Sequence, residues 1–156
     1  MKSRDLQRIW WDWLSTAERI NRTLAEQTAA LTLREVGRIE SIQEDITSQS
    51  LVLNEIDKKA VAATQELAGE LGVMPGLRSI VEALSPAEAR QVESLAKRVE
   101  IVGENLKERL DRNRKLIESE LTYVGGTLAL IAKVAQEQQT PFAVAQVGAV
   151  LMDQVA

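Results

Sequence analysis

Apolar residues recur along most of this 156-residue chain in alternating steps of three and four, the spacing that collects them on one stripe of an α-helix. The first stripe runs through Leu6, Trp10, Trp13, Ala17, Ile20, Leu24, Thr28 and Leu31. A second, Ile39, Ile42, Ile46, Gln49, Leu53, Ile56, Ala60, Ala63 and Leu67, keeps its seven-residue repeat without a slip. The third is the longest: Val92, Leu95, Val99, Val102, Leu106, Leu110, Asn113, Ile117, Leu121, Val124, Leu128, Ile131 and Ala135. Unbroken, it makes a helix of about 50 residues, roughly 75 Å long at 1.5 Å per residue. No segment alternates with a period of two for long enough to form a strand.

Helix punctuation divides the stripes. Thr32-Leu33-Arg34-Glu35 has the form of a capping box, with Leu31 and Val36 placed as a hydrophobic staple around it. Either the helix restarts there, or it runs straight through and Gly37 is merely a weak spot. Gly72 suits a C-terminal cap, Pro75-Gly76 marks a connector, and Leu77 to Leu84 is a candidate short helix. Ser85-Pro86-Ala87-Glu88 then gives a strong start signal, with a capping serine, proline at the first helical position and glutamate three after the cap. Thr140-Pro141 opens one more candidate helix, which carries no charge until Asp153 and is too short to span a membrane.

The pattern predicts an all-α fold, an elongated antiparallel helical hairpin or coiled-coil bundle of three or four helices. At this length a single domain is expected. Its parts are an N-terminal helical arm over 5–71, a connector with a short helix over 72–85, a long C-terminal helix over 86–137 and an apolar tail helix over 138–156.

Composition narrows the chemistry. The chain has no histidine and no cysteine, which removes the commonest general base, the thiol nucleophile, disulfides and nearly every zinc, haem or iron–sulfur site. Its carboxylates are spread along helix faces and its glycines form no phosphate loop, so no catalytic, cofactor or metal site is expected. A net charge of -4 on 27% charged residues describes a solvated surface of mixed sign and argues against nucleic acid. The N-terminus MKSRDLQRIWWDWL lacks a secretory signal, because Asp12 interrupts a short apolar run; a cytoplasmic protein is the expectation.

Four features stand out from the stripes. Trp10 and Trp13 lie on the first stripe while Trp11 turns away, so these rings either plug an open bundle end or offer a partner a contact surface. Arg109, Arg112, Arg114 and Lys115 are interleaved with acids and read as a solvated face with pairs such as Glu108 to Arg112. Asn113 stands where the stripe calls for an aliphatic residue, a placement best known for fixing register between helices. Gly125-Gly126 costs roughly 1 kcal/mol per glycine relative to alanine. The pair admits a close helix contact, a bend, or a helix that is marginal on its own.

Three blocks together resemble the FlgN family of flagellar export chaperones: ALTLREVGRIESIQEDI, ELGVMPGLRSIVEAL and LKERLDRNRKLIESELTYVGGTLALI, covering most of residues 5 to 135. The family often has two asparagines three apart where this chain has Leu110 and Asn113. It also tends to carry a Thr-Tyr pair where this chain has Thr140-Pro141-Phe142.

The resemblance implies a cytoplasmic, non-enzymatic chaperone that binds the C-terminal segments of hook-filament junction proteins of the FlgK and FlgL type and delivers them to the flagellar export apparatus. Such segments would pack as helices in a groove. The expected client surface comprises Asn113, Ile117, Leu121, Val124, Leu128 and Ile131 with Phe142, Val147, Val150 and Leu151 of the tail. No cofactor, nucleic acid or stable membrane insertion is implied, and monomer and homodimer both stay open. The competing reading is a coiled-coil scaffold or oligomerisation module that buries the same surface in self-association. A membrane-surface helix over 141–155 is a weaker third, since it lacks the lysines and arginines such helices carry.

Overall fold

The computed structural model describes the backbone of residues 2–135, and the side chains of residues 2–126 except Val124. The expected tail helix over 138–156 lies outside the described residues. Among the described residues there are four helices and no strand: α1 (Arg4–Leu33), α2 (Val36–Leu71), the short α3 (Leu77–Ala83) and α4 (Pro86–Ala135). The chain is all-α, as its periodicity predicts.

The break near Thr32 is real, but it is not built as a capping box. Thr32 belongs to α1, and its hydroxyl donates back to the Thr28 carbonyl at 2.8 Å, the i−4 bond of a residue inside a helix. The stop falls two residues later, where Arg34 adopts a left-handed conformation at φ 55°. The Arg34 amide then bonds the Leu31 carbonyl and the Glu35 amide bonds that of Ala30, the paired bonds of a Schellman cap. Gly72 closes α2 in the same way at φ 69°, with Gly72 bonded to Gly69 and Val73 to Ala68. Glycine reaches this conformation at no steric cost, whereas Arg34 does so against its Cβ.

Packing divides the chain into two compact units, one of residues up to Arg19 with Leu51–Asn105, the other of Ile20–Ser50 with residues from Leu106 onward. The three long helices each contribute to both. In the first unit Leu6, Leu67, Ala68 and Ile80 form a buried cluster, against which Trp10, Ala63, Leu71, Val73 and Leu84 pack. The contact of Val73 with Ala68 is the apolar seal that accompanies a Schellman cap. The Trp13 indole, 8% exposed, donates to Asp57 at 2.7 Å and tethers α1 to α2. Its ring also lies 3.4 Å from where a Cβ on Gly103 would stand, so α4 makes room for it.

In the second unit the chain reverses between α1 and α2, and α4 runs parallel to α1. Asn21, Leu24 and Arg34 meet Arg109, Asn113 and Glu120 in rising order. Ile20, Leu24, Leu31, Ile42, Ile46, Leu106 and Ile117 are buried here. At roughly 25 cal/mol per Å2 of apolar surface removed from water, each large side chain contributes about 1.5–3 kcal/mol.

Candidate functional site

Asn113 is 2% exposed and sits in a polar layer that crosses all three long helices of the second unit. Its Nδ2 donates to the Leu24 carbonyl at 2.9 Å and to Gln27 Oε1 at 3.1 Å, and its Oδ1 accepts from the Thr28 hydroxyl at 2.8 Å. Gln27, fully buried, passes the chain on by donating from Nε2 to Gln43 Oε1 of α2 at 3.0 Å. Only one axial placement of the three helices brings these groups together, so the layer fixes their register. The asparagine was legible in the sequence. Its partners were not, because Gln27 lies off the apolar stripe of α1 and Gln43 off that of α2.

Above this layer a recess of about 240 Å3 is lined by Leu24, Ala25, Thr28, Arg109, Arg112 and Asn113. Arg109 also reaches the Asn21 carbonyl at 3.4 Å. The basic cluster does not act as one patch: Arg114 turns to Glu118 at 3.8 Å. The expected Glu108 to Arg112 pair is not among the ion pairs of the described residues. Where α1 ends, Arg34 bridges to α4. Its guanidinium lies 3.4 Å from Glu120 and 4.0 Å above the Tyr123 ring, and the bond and charge of these two groups raise its pKa further.

The start of α4 departs from a local capping box. The Ser85 hydroxyl accepts from the Glu88 amide at a long 3.4 Å, but the Glu88 carboxylate turns to the other end of the chain. Its Oε1 accepts from the Ser3 amide at 2.7 Å and from the Ser3 hydroxyl at 2.6 Å. One buried carboxylate thus serves the N-termini of α1 and α4, where both helix dipoles favour negative charge. The two bonds from Ser3 hold its pKa below the ordinary carboxylate range, against the opposing effect of burial.

A family model, that of the FlgN protein, matches residues 1–140. The chain belongs to the FlgN family. No curated protein and no solved structure matches it. FlgN proteins are flagellar export chaperones, so what matters in this fold is the surface it leaves for another protein. Among the described residues no helix is long and apolar enough to cross a membrane, and no group of acidic side chains is arranged to hold a metal ion.

The residues expected to meet a client divide into three groups. Asn113 and Ile117 are enclosed, at 2% and 1% exposure, and are occupied within the second unit. Leu121 is half-buried at the rim. The side chains of Val124, Leu128, Ile131, Phe142, Val147, Val150 and Leu151 lie outside the described residues. Gly125 and Gly126 are part of α4, and among the described residues a Cβ on either would meet nothing within 4 Å.

Proposed function

We propose that this FlgN-family chain binds the C-terminal segments of hook-filament junction proteins of the FlgK and FlgL type in the cytoplasm and delivers them to the flagellar export apparatus. The observation that carries the reading is the length of α4. In the second unit it runs parallel to α1 and meets Arg34, the residue just past the end of that helix, at Glu120, yet continues to Ala135. Its heptad also continues, through Val124, Leu128 and Ile131, beyond the point where α1 has ended. A helix that continues past the end of α1 with its heptad intact is suited to receive an amphipathic segment from another chain.

On this reading the client surface is Leu121, Val124, Leu128 and Ile131 with Phe142, Val147, Val150 and Leu151. Asn113 and Ile117 belong to the platform behind it. Titration calorimetry with the C-terminal peptide of the matching junction protein tests this. The full chain should bind it and a chain lacking residues 138–156 should bind it more weakly. Unchanged affinity after truncation removes the tail from the surface, and no binding by the full chain refutes the function.

The scaffold reading draws no support from the exposed apolar residues of α2. Leu51 faces away from the buried stripe, and Val52 and Val61, about two and a half turns apart, lie on opposite flanks. Apolar residues scattered singly need no partner.

A further inference from the structure

In the first unit α1 and α4 enclose a trough of about 440 Å3, walled by Gln7 and Trp11 on one side and by Arg90, Gln91, Ser94 and Arg98 on the other, with Leu95 at its floor. Trp11 is 49% exposed, and the Arg98 guanidinium lies 5.2 Å over its ring. Neither Arg90 nor Arg98 has a carboxylate partner in any ion pair of the described residues. Arg4 continues the α1 stripe at the spacing that stacks it below Gln7 and Trp11, and the exposed Ile101 continues that of α4 above Arg98. No acidic side chain lines the trough, in a chain whose acids outnumber its bases. An exposed tryptophan flanked by unpaired arginines has the composition that carries binding energy at protein interfaces.

We propose that this trough docks an acidic amphipathic segment of a protein partner, with an apolar side chain laid on the Trp11 ring and carboxylates set against Arg90 and Arg98. A carboxylate meets guanidinium in a two-pronged geometry that neither water nor a neutral side chain reproduces. An anionic membrane is the less suitable occupant, since the surface is a recess between two helices that a single segment fits and a bilayer does not. The trough lies in a different unit from the proposed client surface, so this docking stands or falls independently of client binding.

The test uses the full chain and a labelled amphipathic peptide with leucines at i, i+4 spacing and glutamates between them. The controls are the same peptide with glutamine for glutamate, and phosphatidylglycerol vesicles. Fluorescence anisotropy should show binding of the glutamate peptide that weakens with salt, and the Trp11 indole resonance should shift. Arg90→Glu with Arg98→Glu, or Trp11→Ser alone, should weaken it about tenfold or more, while helicity by circular dichroism stays unchanged because all three residues are exposed. Equal binding of the glutamine peptide, undiminished binding by the variants, or binding of vesicles in place of the peptide would overturn the proposal.

Discussion

Replacing Asn113 by alanine should cost about 3 kcal/mol, and the figure follows from which partners can find substitutes. The Thr28 hydroxyl loses its acceptor, but it also lies 3.0 Å from the Leu24 carbonyl and can donate there instead. The Leu24 carbonyl keeps its own helix bond. Gln27 Oε1 has no such alternative: buried without a donor, it costs about 1–3 kcal/mol, and the shortened side chain leaves a void that adds about 1 kcal/mol. For a chain of this length 1 kcal/mol shifts the melting temperature by about 2–4 °C, so a fall of about 6–12 °C is expected, followed by circular dichroism at 222 nm. The triple variant Asn113→Leu, Gln27→Leu, Gln43→Leu removes both sides of the Asn113–Gln27 and Gln27–Gln43 bonds and should recover most of the loss, because the Thr28 hydroxyl and the Leu24 carbonyl keep their helix partners. A loss below about 0.5 kcal/mol in Asn113→Ala, the range of an ordinary surface change, would mean that the layer is not formed, and with it the explanation of register would fail.

Three further outcomes follow from particular contacts. Glu88→Gln should cost about 1–2 kcal/mol at neutral pH. Since the folded carboxyl titrates below its unfolded value of about 4.3, the stability it gives is complete above that pH and is lost as pH falls through the lower folded value. The wild type should therefore lose this increment in acid urea titrations, whereas the variant never has it; equal acid slopes would refute the assignment. Arg34→Gly should be more stable than Arg34→Ala, because glycine relieves the left-handed strain that alanine keeps while both lose Glu120 and Tyr123; the reverse order in urea melts would contradict the geometry of the cap. Gly125→Ala with Gly126→Ala should add about 2 kcal/mol, since no described residue would clash with either Cβ; weaker binding of the junction-protein peptide would show that adaptability there serves the client, and unchanged binding would make the pair a tolerated fault.

Much of the fold was readable from the stripes, but their regularity misled on depth. The α2 stripe keeps the strictest heptad, yet Gln49, Leu53, Ile56 and Ala60 are only half-buried, while the stripe of α1 buries Leu6, Trp13, Ala17, Ile20, Leu24 and Leu31. Periodicity reports the direction of an apolar face and not how many helices cover it. Packing against both α2 and α4, α1 also buries Thr16, Thr23, Gln27 and Ala30 on one flank of its stripe and Leu14 on the other, a widening hidden in the sequence by its polar members. The α1–α2 turn was only one of two readings the sequence left open, and it was centred on Thr32, because arginine at positive φ carries no turn signature. Glu88 was identified as a cap, but its partner Ser3 lies 85 residues away and no local pattern could pair them. For the proposed client surface, the stripe supplied consecutive seam positions and nothing more. It could not separate Asn113 and Ile117, which α1 covers, from the positions beyond Glu120, because the end of α1 along α4 is a tertiary fact.

Hydrogen exchange of the full chain, with and without the C-terminal peptide of its junction protein, separates a client surface on α4 and the tail from one elsewhere in the fold. New protection should be confined to α4 beyond Tyr123 and to the tail, with the amides around Asn113 already protected in the free chain and unchanged on binding. Protection appearing instead in the first unit, or around Asn113 only when the peptide is present, would contradict it.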